Sequence, residues 1–139
     1  RDSSVTGVQT CALPISNRLA GKLEFLKRYK FTLALENAVW PGYATEKLVD
    51  PMYVNSIPIY VGDPGARESF NPDSYIDATS FKSVREMLEF VRHIDNDRDL
   101  YLKMLAAPFY RNNVIPEYAR DETILAFFDR IFAAAAARR

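Results

Sequence analysis

The spacing of apolar positions changes several times along this chain, and each change marks an expected element. Leu23 to Tyr29 is helical in composition and leads directly into Phe31-Thr-Leu-Ala-Leu-Glu36, a short apolar run of β-formers that predicts a buried strand. Asn37 to Tyr43 holds Pro41 and Gly42 side by side and reads as a loop. Thr45 then offers an N-cap for a helix through about Asn55, with Pro51 inside it to kink or shorten it. Ile57-Pro-Ile-Tyr-Val-Gly62 predicts a second buried strand, closed by the turn residues Gly62-Asp-Pro-Gly65. A short helix around Ala66 to Phe70 and a brief strand near Ser74 to Ile76 follow.

Ser83 is placed to cap a long helix, in which Val84, Leu88, Val91 and Ile94 recur at helical spacing and Met87 and Phe90 widen the stripe. Leu100, Met104 and Leu105 continue the pattern in the next helical stretch. After Pro116 a last helix is expected from Asp121 to Ala137, with Ile124, Leu125, Phe128 and Ile131 on one side and a fraying AAAAARR end. Apolar strands alternating with helices predict an α/β domain with a parallel sheet, in which Leu33 and Ile59 are core residues.

The composition narrows the function classes. The 18 basic residues balance 18 acidic ones, so the formal net charge is zero and the electrostatic footprint of a nucleic-acid binder is missing. No apolar run approaches the roughly 20 residues of a membrane-spanning helix. Two terminal arginines give only a small basic tail for a peripheral membrane contact. The single histidine, His93, stands between charged residues and reads as a solvated helix position without metal-binding partners. The one cysteine, Cys11, allows no internal disulfide. It falls in Val5 to Ile15, VTGVQTCALPI, which resembles the translation of a common short-read sequencing adapter. Residues 1–16 are therefore expected to be a non-native leader that contributes nothing to the core, with the natural N-terminal sequence missing, and 17–139 to be the domain.

The chemistry concentrates in Tyr29 to Lys47, YKFTLALENAVWPGYATEK. Glu36 and Asn37 end a predicted strand, where open α/β sheets place their ligand groups. Glu46 and Lys47 fall in the first turn of the next helix, where free backbone N–H groups and the dipole suit an anion. A lysine there opposes the dipole unless a phosphate lies between them, so two readings stand side by side: a phosphate contact, or a solvated lysine beside a glutamate. Tyr43 and Trp40 either cover a ligand or pack.

The order of E-N, Y-x-T-E-K-L and I-P-I-Y-V-G, continued through FNPDSYIDATSFKSVREMLEFV and NDRDLYLKML, resembles the C-terminal half of the α-1,3/1,4-fucosyltransferases of glycosyltransferase family 10, in the style of bacterial members. The resemblance implies a Rossmann-like parallel sheet forming the C-terminal half of a GT-B transferase, whose N-terminal domain is missing here. It places Asn37, Tyr43, Glu46 and Lys47 on donor-binding positions for GDP-fucose, with no cofactor or metal. Lys47 would neutralise the departing diphosphate, and Glu46 would hold sugar hydroxyls. Thr32 stands where many members carry an aromatic residue.

No catalytic residue is expected in this piece, because the general base and a diphosphate-binding arginine belong to segments before Leu23. The piece alone is then expected to be inactive. The complete enzyme would transfer L-fucose, with inversion, to an N-acetylglucosamine-containing glycan, either N-acetyllactosamine-like or a lipopolysaccharide O-antigen. A bacterial cytoplasmic location, peripheral to the inner membrane, is the expected setting. Two alternatives stay open: another GT-B nucleotide-sugar transferase, and a nucleotide-binding module without turnover.

Overall fold

The computed structural model describes residues 18–137, so the expectation for residues 1–16 lies outside them. Helix α1 spans Arg18–Leu26 and strand β1 Phe31–Leu35. Helix α2 spans Glu46–Tyr53, strand β2 Ile57–Val61 and the single-turn helix α3 Ala66–Ser69. Strand β3 is Ile76–Asp77, followed by helices α4, Val84–Asn96, α5, Arg98–Ala106, and α6, Asp121–Ala136. The three strands form one parallel sheet in the order β1-β2-β3, as expected for an α/β domain. Phe31 faces Ile57 and Leu35 faces Val61 across the first pair. Ile59 faces Ile76 and Tyr60 faces Asp77 across the second, so β3 begins later than its sequence suggests.

Local signals account for most of the boundaries. Thr45 caps α2, its hydroxyl accepting the Lys47 N–H at 3.3 Å. α2 is eight residues long with Pro51 inside it, ending at Tyr53 and short of Asn55, where Ser56 N–H donates to the Pro51 carbonyl at 2.9 Å and Asn55 N–H to the Met52 carbonyl at 3.2 Å. Asn55 then takes φ 61 to turn the chain into β2. Ser83 caps α4 by accepting the Glu86 N–H at 3.2 Å, and the Glu86 carboxylate reaches back to the Lys82 N–H at 2.8 Å. Asp97 ends α4 and caps α5 by accepting the Leu100 N–H at 3.0 Å.

The core lies on both faces of the sheet. On one, Ala34 and Tyr60 pack with Leu48 and Met52 of α2 and with Ala66, Phe70 and Tyr75. On the other, Ile57, Ile59 and Ile76 pack against Ile94 of α4, flanked by Met87, Val91, Leu100 and Met104. β2 is the buried strand that was expected. β1 is not: only Ala34 is buried, while Leu33 is 66% and Leu35 50% exposed. Both belong to the face covered by α4 and α5, but those helices lie over β2 and β3 and reach β1 only at Phe31. Leu33 is therefore not a core residue, whereas Ile59 is.

The apolar stripe of α4 is also narrower than its periodicity suggests. Met87, Val91 and Ile94 point at the sheet; Val84 and Leu88 are exposed, and Phe90 leans on Phe81 with ring centroids 5.4 Å apart. His93 is exposed, as expected. Helix α6 buries no residue, and Leu125, Phe127 and Phe132 are each more than half exposed. Among the described residues no helix is long and apolar enough to cross a membrane.

Candidate functional site

The parallel sheet delivers the ends of β1 and β2 to one edge, where Glu36 extends the ladder by donating its backbone N–H to the Val61 carbonyl at 2.8 Å. The Glu36 side chain is fully buried. Its Oε1 accepts the Thr45 backbone N–H at 2.8 Å, and the Thr45 hydroxyl donates to both carboxylate oxygens at 2.9 Å. The same hydroxyl accepts the Lys47 backbone N–H, and Leu48 N–H donates to the Thr45 carbonyl at 3.2 Å. The first turn of α2 thus satisfies much of its own donor set, and the anion beside its cap is Glu36. From this turn the Lys47 ammonium reaches back toward the end of β1. It donates to Asn37 Oδ1 at 2.8 Å and stands 3.7 Å from Glu36 Oε2, with the side chain 29% exposed.

Space for this arrangement comes from Gly62 at the end of β2. A Cβ there would overlap the Tyr60 hydroxyl and Glu36 Cγ and lie 2.6 Å from Tyr60 Cζ. The Tyr60 hydroxyl accepts the Asp63 N–H at 2.9 Å and donates to the Tyr43 carbonyl at 3.5 Å, tying the Asn37–Tyr43 loop to the turn after β2. Burial raises the Tyr60 pKa above 10; the Asp63 N–H opposes this and the Glu36 charge adds to it, so the hydroxyl keeps its proton for the loop. Beside the cluster, a cavity of about 210 Å³ is lined by Val39, Tyr60, Gly62, Asp63, Arg67 and Asp77. It opens at the C-terminal ends of β2 and β3, where ligands of open α/β sheets bind.

The sequence profile of glycosyltransferase family 10 (fucosyltransferase), C-terminal part, matches residues 5–113. The chain belongs to this family. It is 34% identical to the α-(1,3)-fucosyltransferase FucT of Helicobacter pylori over 137 residues, which cover 91% of this chain and 27% of that protein. It is 36% identical over 76 residues to the α-(1,4)-fucosyltransferase of Arabidopsis thaliana, covering 55% of this chain and 19% of that one. Among solved structures, an α1,3-fucosyltransferase with GDP-fucose superposes with a TM-score of 0.65 at 36% identity, over 79% of this chain and 34% of that chain. The family member described here therefore spans about a quarter of the length of its Helicobacter relative.

Of the four positions that the family resemblance singled out, Asn37 and Lys47 are joined by a hydrogen bond. Glu46 turns away from them: its carboxylate is 61% exposed and 3.8 Å from Lys22 of α1, which pairs more closely with Asp50 at 2.8 Å. Consecutive residues of a helix point about 100° apart, which separates Glu46 from Lys47. Tyr43 is 39% exposed. Thr32, the departure from the family pattern, shares a hydrogen bond with the buried Ser56 at 2.7 Å and serves the fold. The residues that build the site without having been singled out are Tyr60 and Gly62. Their only sequence signal is the I-P-I-Y-V-G run itself. Among the described residues no three His, Cys, Asp or Glu side chains cluster to hold a metal.

Proposed function

We propose that this chain is the donor-side part of a fucosyltransferase that moves L-fucose from GDP-fucose to a hydroxyl of an N-acetylglucosamine-containing glycan, with inversion. The observation that carries the reading is the anchored Lys47 ammonium at the C-terminal edge of a parallel sheet. The similarity to an α1,3-fucosyltransferase solved with GDP-fucose supports the choice of donor. In the reaction the acceptor oxygen bonds to the anomeric carbon as the bond from that carbon to the diphosphate oxygen breaks. The acceptor proton passes to a general base on the part of the enzyme outside this chain. Charge grows on the leaving diphosphate, and Lys47 stabilises it there.

Asn37 and the Tyr43 ring complete the donor contacts in this reading. Glu46, held only by a loose exposed pair, swings to the fucose hydroxyls. We further propose a bacterial enzyme working in the cytoplasm at the inner membrane on a lipopolysaccharide-type glycan; one relative, the α-(1,3)-fucosyltransferase of Helicobacter pylori, comes from a bacterium.

Calorimetric titration of GDP tests the site. A charge-assisted contact to phosphate is worth roughly 1.5–3 kcal/mol, so Lys47→Ala should bind GDP about ten- to a hundredfold more weakly. Glu46→Gln should retain GDP and lose turnover in an enzyme that carries the acceptor side. Parental GDP affinity in Lys47→Ala would refute the assignment.

A further inference from the structure

The carboxylate of Glu36 is wholly buried, so it cannot touch a ligand, yet the cap that holds the Lys47 backbone leads back to it and the Lys47 ammonium stands 3.7 Å from it. Through Thr45 it holds the Lys47 backbone: the carboxylate accepts the Thr45 N–H and O–H, and the Thr45 oxygen accepts the Lys47 N–H. Directly, it faces the Lys47 ammonium at 3.7 Å, while Asn37, its neighbour in sequence, takes a hydrogen bond from the same ammonium at 2.8 Å. The end of β2 closes around the Glu36 stem where Gly62 leaves room for Cγ, so the carboxylate has nowhere to swing. The caps of α4 and α5, by contrast, are a serine and an aspartate that act on their own helices.

We propose that Glu36 is a positioning residue of the donor site. It suspends Lys47 by backbone and side chain before the donor arrives, leaving the ammonium protons that Asn37 does not take for a phosphate oxygen. The rotamer freedom a surface lysine would lose on binding is thereby lost on folding, which favours ligand capture by a preorganised group. This rests on the reading of Lys47 as a diphosphate contact.

A double-mutant cycle separates the two. GDP is titrated against the parent chain, Glu36→Gln, Lys47→Ala and the double variant. Glu36→Gln keeps the size of the side chain and removes its charge, and should weaken GDP by about three- to tenfold, a coupling ordinary for residues in one network. With Lys47 already Ala, the same change should alter the affinity by less than about twofold, because the group it positions is gone. Equal losses in both backgrounds would make Glu36 merely structural, and tighter binding by Glu36→Gln would make it a competitor for Lys47. Either result overturns the proposal and leaves the donor site standing. Unchanged GDP affinity in Lys47→Ala, or no binding by the parent, refutes the donor-site reading first and the positioning role with it. Should Glu36→Gln fail to fold, Glu36→Asp runs the same cycle, since it keeps the charge and withdraws it by one methylene; the same two outcomes decide.

Discussion

Replacing Gly62 by alanine adds one methyl group at the most crowded point of the site. The new Cβ would meet the Tyr60 hydroxyl, Glu36 Cγ and Tyr60 Cζ at once. None of these is the free end of a flexible side chain: Tyr60 is 2% exposed and pinned by Asp63, and the Glu36 side chain is fully buried and held by Thr45. Overpacking of this kind costs roughly 1–3 kcal/mol. Alanine also restricts the unfolded chain, which returns about 0.4–1 kcal/mol. The expected net loss is about 1.3 kcal/mol, the difference of the mid-range values, measured by urea denaturation followed by far-UV circular dichroism. Two other glycines act as controls. Gly65→Ala meets nothing closer than Asp63 Oδ1 at 3.3 Å and should stay within about 0.5 kcal/mol of the parent. Gly42→Ala meets no atom but forces a side chain to φ +79, and should lose about 1 kcal/mol for that reason alone. If Gly62→Ala is as stable as Gly65→Ala, β2 does not close around Glu36 and the carboxylate is free to swing.

Three further outcomes follow from burial. Ile59→Ala, at a position only 5% exposed, should cost about 2–5 kcal/mol, whereas Leu33→Ala at 66% exposed should cost under about 1 kcal/mol; denaturation midpoints of the pair decide whether β1 is open as described. Burial pushes the Tyr75 pKa up to about 12, with the Asp77 charge adding and Arg67 opposing. A raised phenol pKa gives stability that is full below pH 10 and lost as the pH climbs from there to about 12, so Tyr75→Phe should flatten that part of the stability profile, and an unchanged slope would contradict the assignment. Ending the chain after Arg120 removes α6, which buries no residue, and should leave the thermal midpoint within about 2 °C of the parent; a larger fall would mean that the helix packs on the body.

The order of elements and their caps could be read from the sequence because the forces behind them act between near neighbours. Thr45 and Ser83 satisfy N–H groups two and three residues ahead. The N–H groups of Asn55 and Ser56 close α2 on carbonyls three and five residues behind them, and the apolar run Ile57–Val61 needs no partner to announce a strand. The family motif likewise pointed to Asn37 and Lys47, which the fold then joins by a hydrogen bond. Tertiary structure decided which apolar faces are covered. Leu33, Val84 and Leu88 have the right character and period for a core, yet burial requires a facing surface, and α4 and α5 stand over β2 and β3 instead. It also decided what Glu36 does. A glutamate at a strand end reads as a ligand group, and only the approach of Thr45 and Gly62 from other parts of the chain encloses its carboxylate and turns it inward. Spacing along the chain carries no record of such an approach, because it is made by the packing of α2 and β2 against the end of β1.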